Sequence, residues 1–116
     1  MKIAIVGSRN IILTKNDLAE RVSENDEIIS GGACGVDRCA AKYAVDYGLK
    51  LTEILPKYEL YGRAAPIVRN KEIVDLADKV IVFWNGTSKG SLSVIKYSEK
   101  IGKPCEVILR EEENEI

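Results

Sequence analysis

The chain has 116 residues, of which 46% are hydrophobic and 30% are charged, a composition that predicts one folded domain and excludes a disordered or fibrous protein. No apolar run approaches the roughly 20 residues that span a bilayer and no leader is visible, so we expect a cytoplasmic protein without a membrane partner. The 17 basic and 18 acidic residues nearly balance, so the net charge leads us to expect no nucleic-acid partner, although it leaves a local basic patch open. The absence of histidine excludes histidine-based catalysis, and with the absence of metal-ligand cysteine spacing it predicts no metal site.

The first half of the chain predicts two units of strand, loop and helix. Residues 2–6 form an apolar run that ends at a glycine, and residues 14–17 have the Ser/Thr-x-x-acid pattern that begins a helix. A second apolar run covers 26–30 and is stopped by two glycines. From Gly35 to Gly48 apolar residues recur at helical spacing, which predicts a second helix.

The second half continues this alternation. The sequence predicts strands at 51–55, 79–84 and 105–109, a loop at 56–63, and helices at 66–77 and 91–101. Because the strands are continuous apolar runs that alternate with helices, we predict a three-layer Rossmann-like α/β domain over residues 1–109, with a five-stranded parallel sheet in the order 3-2-1-4-5. We interpret the acidic run 110–116 as a frayed tail.

Glycine-bearing loops follow the first, second and fourth predicted strands. They are Gly7-Ser8-Arg9, Ser30-Gly31-Gly32-Ala33 and Asn85-Gly86-Thr87-Ser88-Lys89-Gly90-Ser91. In the predicted sheet they meet at the carboxyl edge, where the strand order reverses, and glycines followed by helix N-termini suit a phosphate. Glycine turns between strands and helices are also common where no ligand binds. The last loop lacks the order of a Walker A motif, which argues against a mononucleotide triphosphatase.

Charged residues near these loops are candidates for ligand contact. Arg69 and Asn70 lie near the start of the helix 66–77, on the side of its apolar face, which consists of Ile73, Val74, Leu76 and Ala77. Arg69 either clamps a phosphate or a carboxylate or forms an internal ion pair with Asp37. Asp37, in the first turn of the second helix, either holds a ribose hydroxyl or complements the helix dipole.

Aromatic and basic residues are predicted at the same edge of the sheet. Trp84 ends the fourth strand and Tyr61 lies in the third loop, where each either stacks on a base or packs in the core or at its rim. We interpret Lys57 and Arg63 of that loop as parts of a flexible lid over the site.

The loops, together with two further segments, resemble the SLOG superfamily. The segments are Ile5-Val6-Gly7-Ser8-Arg9, Ser30-Gly31-Gly32-Ala33-Cys34-Gly35-Val36-Asp37, Tyr61-Gly62-Arg63-Ala64-Ala65, Arg69-Asn70 and Gly86-Thr87-Ser88-Lys89-Gly90-Ser91. Within it the chain most resembles the small single-domain YspA/YpsA-like members, from about residue 2 to residue 108. The resemblance implies a Rossmann-like sheet that binds nucleotides or ligands derived from NAD or ADP-ribose, and it is compatible with a homodimer.

The resemblance also implies which residues contact the ligand. Ser30 and Lys89 join this set because they lie in the glycine loops. The complete predicted binding set is Gly7, Ser8, Arg9, Ser30, Gly31, Gly32, Asp37, Arg69, Asn70, Gly86, Ser88, Lys89, Gly90 and Ser91. Apart from a nucleotide-like ligand, we predict no cofactor, and we assign no catalytic residue.

One motif of a related branch is incomplete. The SLOG enzymes that release cytokinins from nucleoside 5'-monophosphates carry a Pro-Gly-Gly-x-Gly-Thr-x-x-Glu motif with a working glutamate, and Val94 stands at the corresponding position here. Because valine cannot act as an acid or base, we predict a module that binds or senses a nucleotide without robust catalysis of its own. The alternative, a nucleotide N-glycosidase or phosphoribohydrolase, needs another carboxylate such as Asp37 or Glu72.

A second branch of the superfamily leads to a different function. The DNA-processing protein DprA, which binds single-stranded DNA, resembles this chain in Ser-Gly-Gly-Ala-x-Gly-Val-Asp at 30–37 and in Arg69-Asn70. This chain carries only the minimal domain and no excess of positive charge. Binding of single-stranded DNA is therefore the second alternative, after the enzyme.

Overall fold

The computed structural model describes residues 1–111, which form a five-stranded sheet with helices on both faces. The strands are β1 Lys2–Gly7, β2 Glu27–Ser30, β3 Lys50–Glu53, β4 Lys79–Trp84 and β5 Cys105–Leu109. All neighbouring strands pair in parallel, in the order β3-β2-β1-β4-β5. The predicted Rossmann-like fold class and strand order are thus confirmed. The order reverses between β1 and β4, which places the switch point at the carboxyl ends of these two strands.

Helices connect the strands in the described part of the chain. They are α1 Lys15–Ala19, α2 Val36–Asp46, α3 Tyr58–Tyr61, the 3-10 helix Gly62–Ala64, α4 Ala65–Leu76 and α5 Lys89–Ile101. α1 begins where its sequence pattern predicts, because the Thr14 N–H donates to Asp17 Oδ2 at 2.8 Å and the Asp17 N–H donates to Thr14 Oγ1 at 3.4 Å. Reciprocal bonds of this kind satisfy the free N–H groups that start a helix.

Several local features differ from the prediction, among them β3, which ends at Glu53 rather than at residue 55. The segment 56–63 contains α3 and part of the 3-10 helix rather than a loop, and because α3 is a single turn that buries no side chain, it has no apolar periodicity to reveal it. α5 begins before residue 91 because the Ser88 side chain accepts the Ser91 N–H and caps the helix. Leu76 is exposed, since it lies about 100° around α4 from the buried Ala77, at the margin of the apolar face.

Two apolar layers, one on each face of the sheet, form the core. Successive residues of β1 point to opposite faces, so Ile3 and Ile5 pack in one layer while Ala4 and Val6 pack in the other. The first layer includes residues of α1 and α2, and the second includes residues of α4 and α5. The strand ends are therefore held from both sides and give the loops a fixed base. Over residues 1–111, no helix has the length and apolar character needed to cross a membrane.

Arg110 lies at the start of the segment predicted as a tail. Its guanidinium donates to both carboxylate oxygens of Asp17, at 2.8 and 3.0 Å, and its backbone N–H donates to the Trp84 carbonyl oxygen at 2.9 Å. The Arg110 hydrogen bonds hold the pKa of the Asp17 carboxyl well below its usual range. Residues 112–116 of the predicted tail lie outside the described residues.

Candidate functional site

A cavity of about 380 Å³ opens at the carboxyl edge of the sheet, beside the ends of β1 and β4. Its lining includes these members of the predicted binding set: Gly7, Ser8, Arg9, Asp37, Arg69, Asn70, Ser88, Gly90 and Ser91. The other members of the set, which do not line it, are Ser30, Gly31, Gly32, Gly86 and Lys89. The predicted loops therefore do converge on one crevice, and their contact with a ligand stays a prediction.

Ser8 and Gly7 fix the loop that follows β1. Ser8 is 2% exposed, its N–H donates to the Phe83 carbonyl oxygen at 3.1 Å, and its Oγ accepts from the Asn85 N–H at 3.2 Å. Gly7 makes room for another protein side chain, since a Cβ at this position would lie 2.7 Å from Val36 Cγ2. Both residues thus serve the packing of the crevice wall, whatever the crevice holds.

Ser30 and Gly31 shape the loop that follows β2. The buried Ser30 Oγ donates to the Asp37 carbonyl oxygen at 3.3 Å and accepts from the Gly32 N–H at 3.4 Å. A Cβ on Gly31 would lie 2.7 Å from Arg69 Nη1 and 2.8 Å from Asp37 Oδ2. Gly31 therefore lies between two charged side chains, and a larger residue there must displace one of them.

Gly35 allows the loops after β1 and β2 to touch. Its φ is +76°, a backbone conformation that L residues with a side chain rarely adopt. A Cβ at this position would lie 2.6 Å from the Ser8 carbonyl oxygen and 2.5 Å from the Arg9 carbonyl carbon. The close approach of the two loops thus depends on a glycine at the start of α2.

Arg69 ties α4 to the ends of two strands. Its Nη1 donates to the Gly31 carbonyl oxygen at 2.5 Å and to the Ile54 carbonyl oxygen at 3.5 Å, and its Nε donates to Asn70 Oδ1 at 3.0 Å. Asn70 Nδ2 in turn donates to Ser93 Oγ at 3.2 Å. One predicted role of Arg69 is an ion pair with Asp37. In the structure Arg69 instead donates to backbone carbonyl oxygens. Arg69 Nη2 makes no hydrogen bond within residues 1–111, and the side chain lines the cavity.

Asp37 places a buried carboxyl in the cavity wall. It is 5% exposed, and burial raises its pKa to about 6, although the Ala33 N–H at 3.3 Å and the positive charge of Arg69 act in the opposite direction. A carboxyl with this pKa gains or loses its proton close to neutral pH. In its ionised form it repels an anion in the cavity, and in its neutral form it can donate a hydrogen bond to one.

The loop after β4 presents the N-terminus of α5 to the cavity. Asn85 Oδ1 accepts from the Thr87 N–H at 2.9 Å and from the Ser88 N–H at 2.8 Å, which closes the turn. Trp84 Nε1 donates to the Ser88 carbonyl oxygen at 3.0 Å, so the indole supports this turn. Gly90 follows in the first turn of α5, and a Cβ there would meet no atom within 4 Å. Free N–H groups at the start of a helix attract anions.

Several lining residues lie outside the predicted binding set. They are Val6, Asn10, Ala33, Pro66, Ile73, Asn85 and Val94. The sequence signal for Asn85 is its position directly after a strand of a parallel sheet, where polar residues face the ligand edge. Val94 is 2% exposed and forms an apolar part of the wall.

The charge along this edge is not balanced. The segments 8–14, 31–38, 53–69 and 85–89 comprise the connections after β1 to β4, the last residue of β3 and the first residues of α2, α4 and α5. They contain six cations and three carboxylates, namely Arg9, Arg38, Lys57, Arg63, Arg69 and Lys89 against Asp37, Glu53 and Glu59. None of these six cations forms an ion pair within the part of the chain that the structure describes. The edge therefore offers positive charge that the protein itself does not neutralise.

The first half of the chain matches a known family. The family model described as DNA recombination-mediator protein A matches residues 1–58, half of the chain. Among solved structures, the X-ray structure of DNA processing protein A (DprA) from Streptococcus pneumoniae is similar, with a TM-score of 0.73 and 23% sequence identity, over 91% of this chain and 49% of that chain. The chain thus spans about half the length of that protein. No match is found among curated proteins.

These findings correct the expectation that nucleic acid is not a partner. That expectation is wrong because the matching family is one of DNA recombination mediators. It rested on the net charge, which averages over the whole chain and hides the cations gathered at one edge. The resemblance to a Rossmann-type domain of the DprA and SLOG kind is confirmed, whereas the narrower YspA/YpsA-like assignment is not. The chain belongs to the DNA recombination-mediator protein A family.

Proposed function

We propose that the crevice binds the phosphodiester backbone of single-stranded DNA. The match to the DNA recombination-mediator protein A family carries this proposal. The excess of unpaired cations along the same edge of the sheet supports it, because binding to a strand depends mainly on cations that replace the counterions of its phosphates. A single strand is favoured over a duplex because the chain resembles DprA in the motifs at 30–37 and at Arg69-Asn70.

Groups from three elements at the cavity suit a phosphate of the strand. The N-terminus of α5 offers helix N–H groups beside Gly90, which leaves the approach open. Arg69 offers Nη2, which has no partner within residues 1–111, and Arg9 is exposed at the cavity wall. Two arginines and a helix terminus together provide the hydrogen-bond donors that phosphate oxygens accept.

We propose binding of a free nucleotide, or of an ADP-ribose-like ligand, as the second candidate function. The observation that favours it is the cavity volume of about 380 Å³, which lies within the range of small-molecule pockets. Both candidates use the same phosphate chemistry. Competition between a labelled oligonucleotide and AMP or ADP-ribose distinguishes them. If the crevice is a nucleotide site, the small ligand saturates it and displaces the oligonucleotide, whereas a site for a strand keeps the oligonucleotide bound. Light scattering on the same samples tests whether the chain forms the homodimer with which the SLOG resemblance is compatible.

The proposal predicts that the two ends of α5 differ in their effect on DNA binding. Lys89 lies in the first turn of α5 beside the cavity, and Lys100 lies in its last turn, at the opposite edge of the sheet. We expect Lys89→Ala to weaken binding of a thymidine oligonucleotide of about 12 residues and to reduce the slope of log K against log salt by about 0.7, the value for one phosphate contact. Fluorescence anisotropy at several salt concentrations measures both quantities.

The matched variant Lys100→Ala is the control for general loss of charge. It removes the same exposed side chain from the same helix, and we expect it to leave the salt slope of the wild type unchanged. A wild-type protein that does not bind the oligonucleotide contradicts the proposed function. Equal effects of the two variants contradict the placement of the strand at the carboxyl edge.

Gly90→Ala tests the helix terminus without a change of charge. Because a Cβ at Gly90 meets no atom within 4 Å, we expect the variant to fold, with a slight gain in helix stability of up to about 1 kcal/mol. The added methyl group narrows the approach to the helix N–H groups, and we expect binding of the oligonucleotide to weaken about tenfold, or 1.4 kcal/mol. Unchanged affinity in a folded variant indicates that no phosphate reaches this terminus.

A further inference from the structure

The connection between β3 and α4 exposes aromatic side chains. Tyr58 is 59% exposed and Tyr61 is 44% exposed, and α3, which contains both, buries no residue. The neighbouring Leu60 is exposed as well. A single helical turn that contributes nothing to the core is not explained by the packing of the domain. Clustered apolar surface of this kind commonly marks a binding site.

The two tyrosines share one side of α3. They are three residues apart, a spacing that brings side chains to neighbouring positions on a helix surface. Lys57 precedes them and Arg63 follows them, and neither cation forms an ion pair within the described residues. Aromatic rings interleaved with unpaired cations are typical of surfaces that bind single-stranded nucleic acid, because bases stack on the rings and phosphates approach the cations.

The exposed tyrosines lie a few residues before the helix that lines the cavity. The 3-10 helix Gly62–Ala64 joins α3 directly to α4, so the backbone of α3 lies close to the start of α4. In the first turns of α4, Pro66 and Arg69 line the cavity. This chain connection is short, and it leads us to expect the nucleotides next to a phosphate in the cavity to reach the tyrosines.

We propose that Tyr58 and Tyr61 form a platform on which bases of the bound strand stack. The proposal rests on the proposed function, because the crevice supplies the phosphate contact that brings the bases to the platform. It adds a subsite of different chemistry, which takes the face of an unpaired base. Charge complementarity decides the occupant. Lys57 and Arg63 at its ends outnumber Glu59, the one carboxylate between them, and suit a polyanion, whereas a second copy of this chain presents the same positive balance.

The test compares alanine and phenylalanine variants at each tyrosine. Tyr58→Ala and Tyr61→Ala remove the ring, and we expect each to weaken binding of the thymidine oligonucleotide at least about fivefold, with the salt slope unchanged because no phosphate contact is lost. Tyr58→Phe and Tyr61→Phe keep the ring, and we expect affinity within about twofold of the wild type. Both tyrosine side chains are exposed, so circular dichroism and melting temperature of all four variants should stay at wild-type values.

An oligonucleotide of abasic sites supplies the second measurement. It keeps the phosphates and lacks the bases, so the wild type should bind it more weakly than the thymidine strand, while the double variant Tyr58→Ala/Tyr61→Ala should bind both strands equally. Full affinity of the alanine variants for the thymidine strand overturns the platform and leaves the proposed function intact. Concentration-dependent self-association of the wild type that the double variant loses also overturns it, in favour of contact between copies of the chain.

Discussion

Gly35→Ala is expected to lower the free energy of unfolding by about 4 kcal/mol. One part of this loss is backbone strain, because φ is +76° at this position, and strain of that kind costs about 1 to 3 kcal/mol. The other part is crowding, since the added Cβ would lie 2.5 Å from the Arg9 carbonyl carbon, and forced repacking costs about 1 to 3 kcal/mol. Urea denaturation followed by circular dichroism measures the change.

Gly48→Ala is the matched control. Gly48 has a φ of +68°, and a Cβ there would meet no atom within 4 Å. The control variant therefore carries the strain without the crowding, and we expect it to lose only about 1 to 2 kcal/mol. If both variants lose the same amount, the loops after β1 and β2 can separate without cost, and their close contact does not stabilise the crevice.

The stability of the protein is expected to fall as the pH rises from about 4 to about 6, because of Asp37. The pKa of this carboxyl is about 6 in the folded chain and 3.8 in an ordinary environment, so between these values the folded state keeps a proton that the unfolded state has released. A state that binds more protons is favoured at lower pH, so the Asp37 contribution is complete below pH 4 and is lost as the pH passes 6. The difference amounts to about 3 kcal/mol at 1.36 kcal/mol per pKa unit.

Urea midpoints between pH 3 and pH 8 measure this dependence, and two variants separate its causes. Asp37→Asn carries no titratable proton, and we expect the decline between pH 4 and pH 6 to disappear. The contribution of Asp17 to stability changes with pH in the opposite direction. Because Arg110 lowers the pKa of Asp17, this contribution is lost as the pH falls below about 4. Asp17→Asn should therefore change the pH dependence of stability only below about pH 4. If stability still declines between pH 4 and pH 6 in Asp37→Asn, another titratable group causes the decline.

The same titration has a consequence for the proposed function. The ionised Asp37 carboxylate lies in the cavity wall and repels a phosphate there, whereas the neutral carboxyl does not. We expect DNA affinity to rise as the pH falls through 6 in the wild type and to stay constant in Asp37→Asn.

The sheet could be predicted because its evidence is local. The apolar runs ending at Gly7, Ser30 and Trp84 lie close to the observed strand ends, and their continuous apolar character indicated a parallel sheet. The segment 56–63 could not be predicted in the same way, because its single helical turn buries nothing and leaves no periodic pattern.

The convergence of the loops could be predicted from topology, whereas the tasks of individual residues could not. Gly7 and Gly31 attracted attention as glycines that let a ligand approach, yet the atoms that a Cβ would meet belong to Val36, Arg69 and the backbone at Phe83. Such crowding depends on residues far away in sequence. The two carbonyl partners of Arg69 are equally remote, since they lie at the ends of β2 and β3. The wrong expectation about nucleic acid has a similar origin, because composition does not record where charges are gathered.

Arg69 enters any encounter with a ligand already immobilised. An arginine on an open surface samples many rotamers and loses that freedom when it grips an anion. Here Nη1 and Nε are held by Gly31, Ile54 and Asn70, so the ordering has taken place during folding. Nη2 is therefore held in a fixed position before an anion binds, and this preorganisation increases the affinity for the anion. A lysine at this position keeps the charge but lacks the planar guanidinium that these hydrogen bonds hold. We therefore expect Arg69→Lys to bind phosphate more weakly, because the lysine side chain must be ordered on binding.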